Sequence, residues 1–73
     1  MKGFPVKLTS READVLEQLA LGSSYSDIAH SLYITENTVK THLASVYRKL
    51  GVDRRPAALR AARRIGLIQG EAR

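Results

Sequence analysis

Helix punctuation constrains this chain more than any other feature of its sequence. Leu8-Thr9-Ser10-Arg11-Glu12 reads as a capping box, in which Thr9 accepts from the Glu12 amide and the Glu12 carboxylate reaches back to the Thr9 amide. Ala13, Val15, Leu16, Leu19 and Ala20 follow at helical spacing, and Gly22 supplies a left-handed stop. This predicts a first helix over about 10–21. Ser24, with Asp27 three residues on, opens a second helix over about 25–32 that carries Ile28, Ala29 and Leu32. Thr35 caps a third, over about 36–50, which Gly51 closes. Asp53 reads as the cap of a fourth, over about 54–65, with Pro56 tolerable in its first turn and Gly66 at its end. The expected fold class is all-α, with four helices. The second and third, joined through Ser31-Leu32-Tyr33-Ile34, form a helix-turn-helix pattern. Many helical bundles contain such a pair, so the side chains must say what it is for.

Length sets the outer bound. A chain of 73 residues holds one domain, without room for a deep catalytic cleft, so neither an enzyme nor a cofactor is expected. The domain is expected over 8–68, between flexible termini at 1–7 and 69–73. There is no cysteine, which excludes disulfides and thiolate metal sites. His30 and His42 lie on separate helices with no third ligand at a suitable spacing, so no metal is expected either. No stretch has the length of a membrane span, and Met1-Lys2-Gly3-Phe4-Pro5 has no signal-like apolar core behind it. A cytoplasmic location is the default.

Charge gives the first functional signal. Residues 1–34 hold three Lys or Arg against four Asp or Glu, a net of −1; residues 35–73 hold nine against three, a net of +6. A basic half suits a polyanion, either nucleic acid or an anionic membrane. The third helix favours the first. Val39, Leu43, Val46, Tyr47 and Leu50 share one face, and opposite them lie Asn37, Thr41, Ala44, Ser45 and Arg48, with Lys40 at the edge. Surface helices usually carry Glu and Lys on such a face. Short hydrogen-bonding side chains with flanking cations suit a helix lying close to base edges.

On the fourth helix Ala57, Ala58, Ala61, Ala62 and Ile65 share a face, with Leu67 and Ile68 expected to fold back on the core. Arg60, Arg63 and Arg64 point away from it, open to solvation, to phosphate or to an anionic membrane. The alanine face is too thin for stable membrane insertion, which leaves solvation with long-range attraction to DNA. Leu59 falls roughly 60° outside the alanine cluster, between Arg55 and Arg63, and is expected at a two-fold contact between copies rather than in the core. Tyr33 and Tyr47 are expected to be partly buried.

These residues resemble the helix-turn-helix domain of the LuxR family, also called the GerE or FixJ type. The resemblance runs from Leu8 to Ile68, through Leu8-Thr9-Ser10-Arg11-Glu12, Val15-Leu16, Gly22, Ile28-Ala29, Leu32, Ile34-Thr35, Thr38-Val39-Lys40, His42, Lys49-Leu50-Gly51-Val52, Arg55, Ala58 and Gly66-Leu67-Ile68. It implies a transcription regulator, or its effector domain, that binds double-stranded promoter DNA as a homodimer. Base contacts then fall to Asn37, Lys40, Thr41 and Ala44, and phosphate contacts to Ser24, Ser26, Thr38, His42 and Arg48. The fourth helix, with Leu59, Arg55 and Arg63, takes the dimer contact. The family often has an Asn-Lys pair where Tyr25-Ser26 stands, and apolar residues where Arg60 and Arg63 stand. A sigma-factor helix-turn-helix shares the Leu-Thr-x-Arg-Glu opening and the Thr-Val turn, and would add RNA polymerase as a partner. The Lys49-Leu50-Gly51-Val52 and Gly66-Leu67-Ile68 endings favour the LuxR type. An adaptor with this fold but no DNA binding is a third reading, which Lys40 and the basic half disfavour.

Overall fold

The computed structural model describes residues 6–68, so residues 1–5 of the terminus expected at 1–7, and the terminus expected at 69–73, lie outside the described residues. Four α-helices follow in order, α1 (Ser10–Ala20), α2 (Tyr25–Leu32), α3 (Glu36–Leu50) and α4 (Arg55–Arg64). The first three starts are the ones their caps announce. Thr9 and Glu12 form the reciprocal box, with the Glu12 amide donating to Thr9 Oγ1 at 3.1 Å and the Thr9 amide to Glu12 Oε1 at 3.0 Å. Ser24 Oγ accepts from the Asp27 amide and Thr35 Oγ1 from the Thr38 amide, each at 3.0 Å. Each satisfies an amide that the first helical turn leaves without a backbone partner.

The fourth start corrects the reading. Asp53 is not the cap; Arg54 occupies that position and makes no side-chain cap hydrogen bond. With Asp53 as cap, the third helical residue would be Pro56, which has no amide proton to offer the carboxylate. The helix therefore starts one residue later, with Pro56 in its first turn, and Asp53 is exposed with an oxygen 3.6 Å from Arg54 Nε.

Helix α3 packs on all three of the others, and its inner side spans two apolar clusters. Val39 and Leu43 join Val15, Leu19, Ile28 and Ala29 in the cluster between α1, α2 and α3. Val46 joins Leu16 and Ala62 in the second, which Leu8, Leu50, Leu67 and Ile68 close from its edges. Leu67 and Ile68 thus fold back as expected. Tyr47 is half-buried against both clusters. On α1 the buried apolar residues are Val15, Leu16 and Leu19, whereas Ala13 is exposed.

Two further expectations are overturned. Tyr33 is not a packing residue but 94% exposed. It ends α2 in the left-handed region, at φ 59 and ψ 43. That backbone turns its side chain outward and lets the next residue, Ile34, donate to Ala29 O at 3.0 Å and pack on the first cluster instead. Gly51 makes the corresponding turn after α3 at φ 72, without the steric cost of a Cβ.

Leu59 is the second correction. It is half-buried and packs against both clusters. The alanines of α4, with Ala58 and Ala62 fully buried, let that helix come close to α3. A leucine side chain is long enough to reach back past the alanine edge, so angular position alone misplaced it.

Candidate nucleic-acid interface

The outer side of α3 is a continuous exposed strip of Asn37, Lys40, Thr41, Ala44 and Arg48. The spacings of three and four residues put these side chains on one face, opposite the buried Val39, Leu43 and Val46. All four residues expected at base edges and one of those expected at phosphates are therefore together. Within the strip, Thr41 Oγ1 donates to Asn37 O at 3.0 Å. With its proton committed to the helix, that hydroxyl presents lone pairs and a methyl group outward. It is equipped to accept from a base amino group or to touch a thymine methyl.

The residues expected at phosphates are dispersed around this strip. Thr38 is half-buried at the start of α3, its Oγ1 2.9 Å from Thr35 Oγ1. His42 is half-buried on the flank, at the rim of the core. Ser24 and Ser26 are exposed at the start of α2, and Ser24 already accepts from the Asp27 amide. Tyr25 between them packs on the first cluster. Of the residues expected at a dimer contact, Arg55 and Arg63 are exposed on α4, while Leu59 turns inward. Among the described residues no His, Asp and Glu side chains gather as a metal ion requires.

Ser45 does not belong to the strip. Its hydroxyl donates to Glu12 Oε2 at 2.6 Å, and Lys49 Nζ lies 2.7 Å from Glu12 Oε1 and 3.2 Å from Lys7 O. The capping carboxylate of α1 is thus also a clamp on α3, and only 6% of Glu12 is exposed. Burial by itself would raise its pKa, but the hydrogen bonds from Lys49, Ser45 and the Thr9 amide, with the Lys49 charge, outweigh that and lower it to about 2. The sequence showed only the local half of this arrangement. Its one signal was that Ser45 and Lys49 are four residues apart along the border between the buried and exposed faces of α3.

Tyr47, where α3 meets α4, is also perturbed. Burial raises the pKa of its phenol, as does the neighbouring Tyr25, while the Arg55 guanidinium acts the other way.

Comparison with known proteins agrees with this geometry. Residues 6–62 match the family described as bacterial regulatory proteins, luxR family. The CsgBAC operon transcriptional regulatory protein of Escherichia coli is 48% identical over 52 residues, which cover 71% of this chain and 24% of that protein. The chain thus spans about a quarter of the length of that relative. The solved structure of the transcription factor GerE superposes with a TM-score of 0.81 at 35% identity, covering 85% of this chain and 92% of that one. VqmA of Vibrio cholera, solved in complex with a ligand and DNA, superposes with a TM-score of 0.81 at 30% identity, covering 92% of this chain and 29% of that one. The chain belongs to the LuxR family of bacterial regulatory proteins.

Proposed function

We propose that residues 8–68 are the DNA-reading domain of a transcription regulator that lays α3 in the major groove. The observation that carries this reading is the α3 strip, where short polar or small side chains lie between Lys40 and Arg48 on a face that takes no part in the core. Lys40, Asn37, Thr41 and Ala44 face base edges, where hydrogen bonds and methyl contacts distinguish sequences. Ser24, Ser26, Thr38, His42 and Arg48 take phosphates, which set register and make affinity salt-dependent. If Thr35 donates to Thr38, the Thr38 hydroxyl proton is available for a phosphate oxygen. Every residue acts by binding and none by chemistry. The work is done in the cytoplasm; among the described residues no helix is long and apolar enough to cross a membrane.

Two copies occupy two half-sites, with the outer edges of α4 towards each other and Arg55 and Arg63 bordering the partly exposed edge of Leu59. Arginines facing each other across a two-fold axis repel, so the free protein is monomeric when dilute and pairs on DNA, where phosphates offset the charge. RNA polymerase is a further partner of the assembled regulator.

The test starts from a duplex selected out of a random pool. Lys40→Ala and Thr41→Ala lose about 1–3 kcal/mol of preference for the selected over random duplex. Arg48→Ala weakens both equally and flattens the salt slope by about one unit. Equal losses on both duplexes for Lys40→Ala and Thr41→Ala would move those residues to the phosphate class and remove α3 as the reader.

A further inference from the structure

Helix α4 carries a cationic surface that the reading face does not use. Arg60, Arg63 and Arg64 line an open concavity of about 440 Å³. All three are exposed, and they fall within about 100° of arc on the side of α4 away from buried Ala58 and Ala62. Residues 54–68 hold five arginines and no carboxylate. Among the described residues no Asp or Glu pairs with any of these three; the ion pairs are Arg11–Asp14, Lys49–Glu12 and Arg54–Asp53. Like charges three and four residues apart repel on a helix surface. The helix dipole favours Arg63 and Arg64 in the last turn, but its effect falls off before Arg60. The cluster therefore lacks a counter-charge within its own helix, and its three side chains border one shallow, open depression.

We propose that Arg60, Arg63 and Arg64 form a second phosphate-binding site, which takes the backbone of duplex DNA away from the α3 reading strip. The assignment of the anion to DNA rests on the reading proposed above; the site itself rests on α4 alone. Guanidinium forks pair with phosphate oxygens in two parallel hydrogen bonds, and closely spaced phosphates are the anion that three adjacent forks match. A membrane is disfavoured because the apolar side of α4 is spent on the core: Ala58 and Ala62 are buried and Leu59 packs on both clusters. The site carries no sequence information. It adds affinity, and it neutralises the charge that would otherwise hold two α4 helices apart.

The experiment follows the Nε–Hε NMR signals of the arginines in the whole chain while a random duplex about two helical turns long is added, and separately sodium tripolyphosphate. The signals of Arg60, Arg63 and Arg64 are expected to shift with the duplex at the same protein-to-DNA ratio as Arg48, and more weakly with tripolyphosphate. In the double variant R60Q/R64Q, which leaves Arg63 at the α4 edge in place, the slope of log affinity against log salt falls by about 2, at about 0.9 per phosphate released. Its preference for a selected over a random duplex is unchanged. Gln is as good a helix former as Arg, and if that variant fails to fold, the wild-type signals still decide. Arg48 shifting with duplex while the three α4 signals stay fixed overturns this site and leaves the α3 reading intact. Shifts with tripolyphosphate but not with duplex overturn the assignment to DNA.

Discussion

The reading helix α3 is held from two sides by different physics. On the α1 side a polar contact is added to the apolar one that Val15, Leu16 and Leu19 make: Glu12 takes Ser45 and Lys49 on its two oxygens while capping its own helix. On the α4 side the contact is apolar: Val46 and Leu50 meet Ala62 and Leu59, with Tyr47 against both clusters. The apolar side is non-directional and scales with the area removed from water. The polar side is directional, because a carboxylate with three donors on it fixes the rotation of α3 about its own axis. Rotation is the coordinate that decides which residues face outward, so the clamp bears on what the strip presents and the apolar contacts bear on whether α3 is held at all.

Removing the apolar hold has the largest expected effect. Leu59→Asp leaves a carboxylate against both clusters and costs about 3 kcal/mol, which is a large part of the stability of a domain this small. Loss of helical circular dichroism at room temperature, or a steep fall in the urea midpoint, is the expected result. A folded Leu59→Asp that merely loses cooperative half-site binding would return Leu59 to the two-fold contact and undo its place in the core.

The clamp comes next. Glu12→Gln removes the charge that Lys49 and Ser45 address, at a cost of about 2 kcal/mol near neutral pH, discounted because Lys49 is a third exposed. The sign of its pH dependence is set by the pKa. Folding lowers Glu12 from an ordinary value of 4.5 to about 2, so its stabilisation is full above 4.5 and is lost as pH falls towards 2. The gap between wild type and Glu12→Gln, measured by denaturant unfolding at stepped pH, therefore closes over that window. A gap that stays constant from pH 6 to pH 2 would mean the carboxylate is not ionised in the fold.

The smallest effect concerns the turn that delivers α3 to the surface. Tyr33 and Gly51 both end helices with positive φ, yet only Tyr33 carries a side chain there, and that side chain buries almost nothing. Tyr33→Gly removes the left-handed strain and adds freedom to the unfolded chain, for a net gain of about 0.5 kcal/mol. A rise of a degree or two or more in the thermal midpoint is expected, without a change in the preference of α3 for its duplex. A loss of stability would show that the phenol ring contributes to packing after all.

The sequence by itself determined the four helices, three of their caps and the exposed strip Asn37, Lys40, Thr41, Ala44 and Arg48. These depend on side chains within one turn of each other or on the helical period, and both can be counted along the chain. The structure decided three other things, the last two of them tertiary. Asp53 lost its cap to Arg54 because Pro56 has no amide at the needed position, a local conflict that the pattern of cap residues did not weigh. Leu59 went inward because the closeness of α4 to α3 depends on how small the alanines between them are. Ser45 left the strip because Glu12 stands opposite it, 33 residues away in the chain. A helical wheel gives directions around one axis; it cannot say how near the next helix comes or which charge that helix brings.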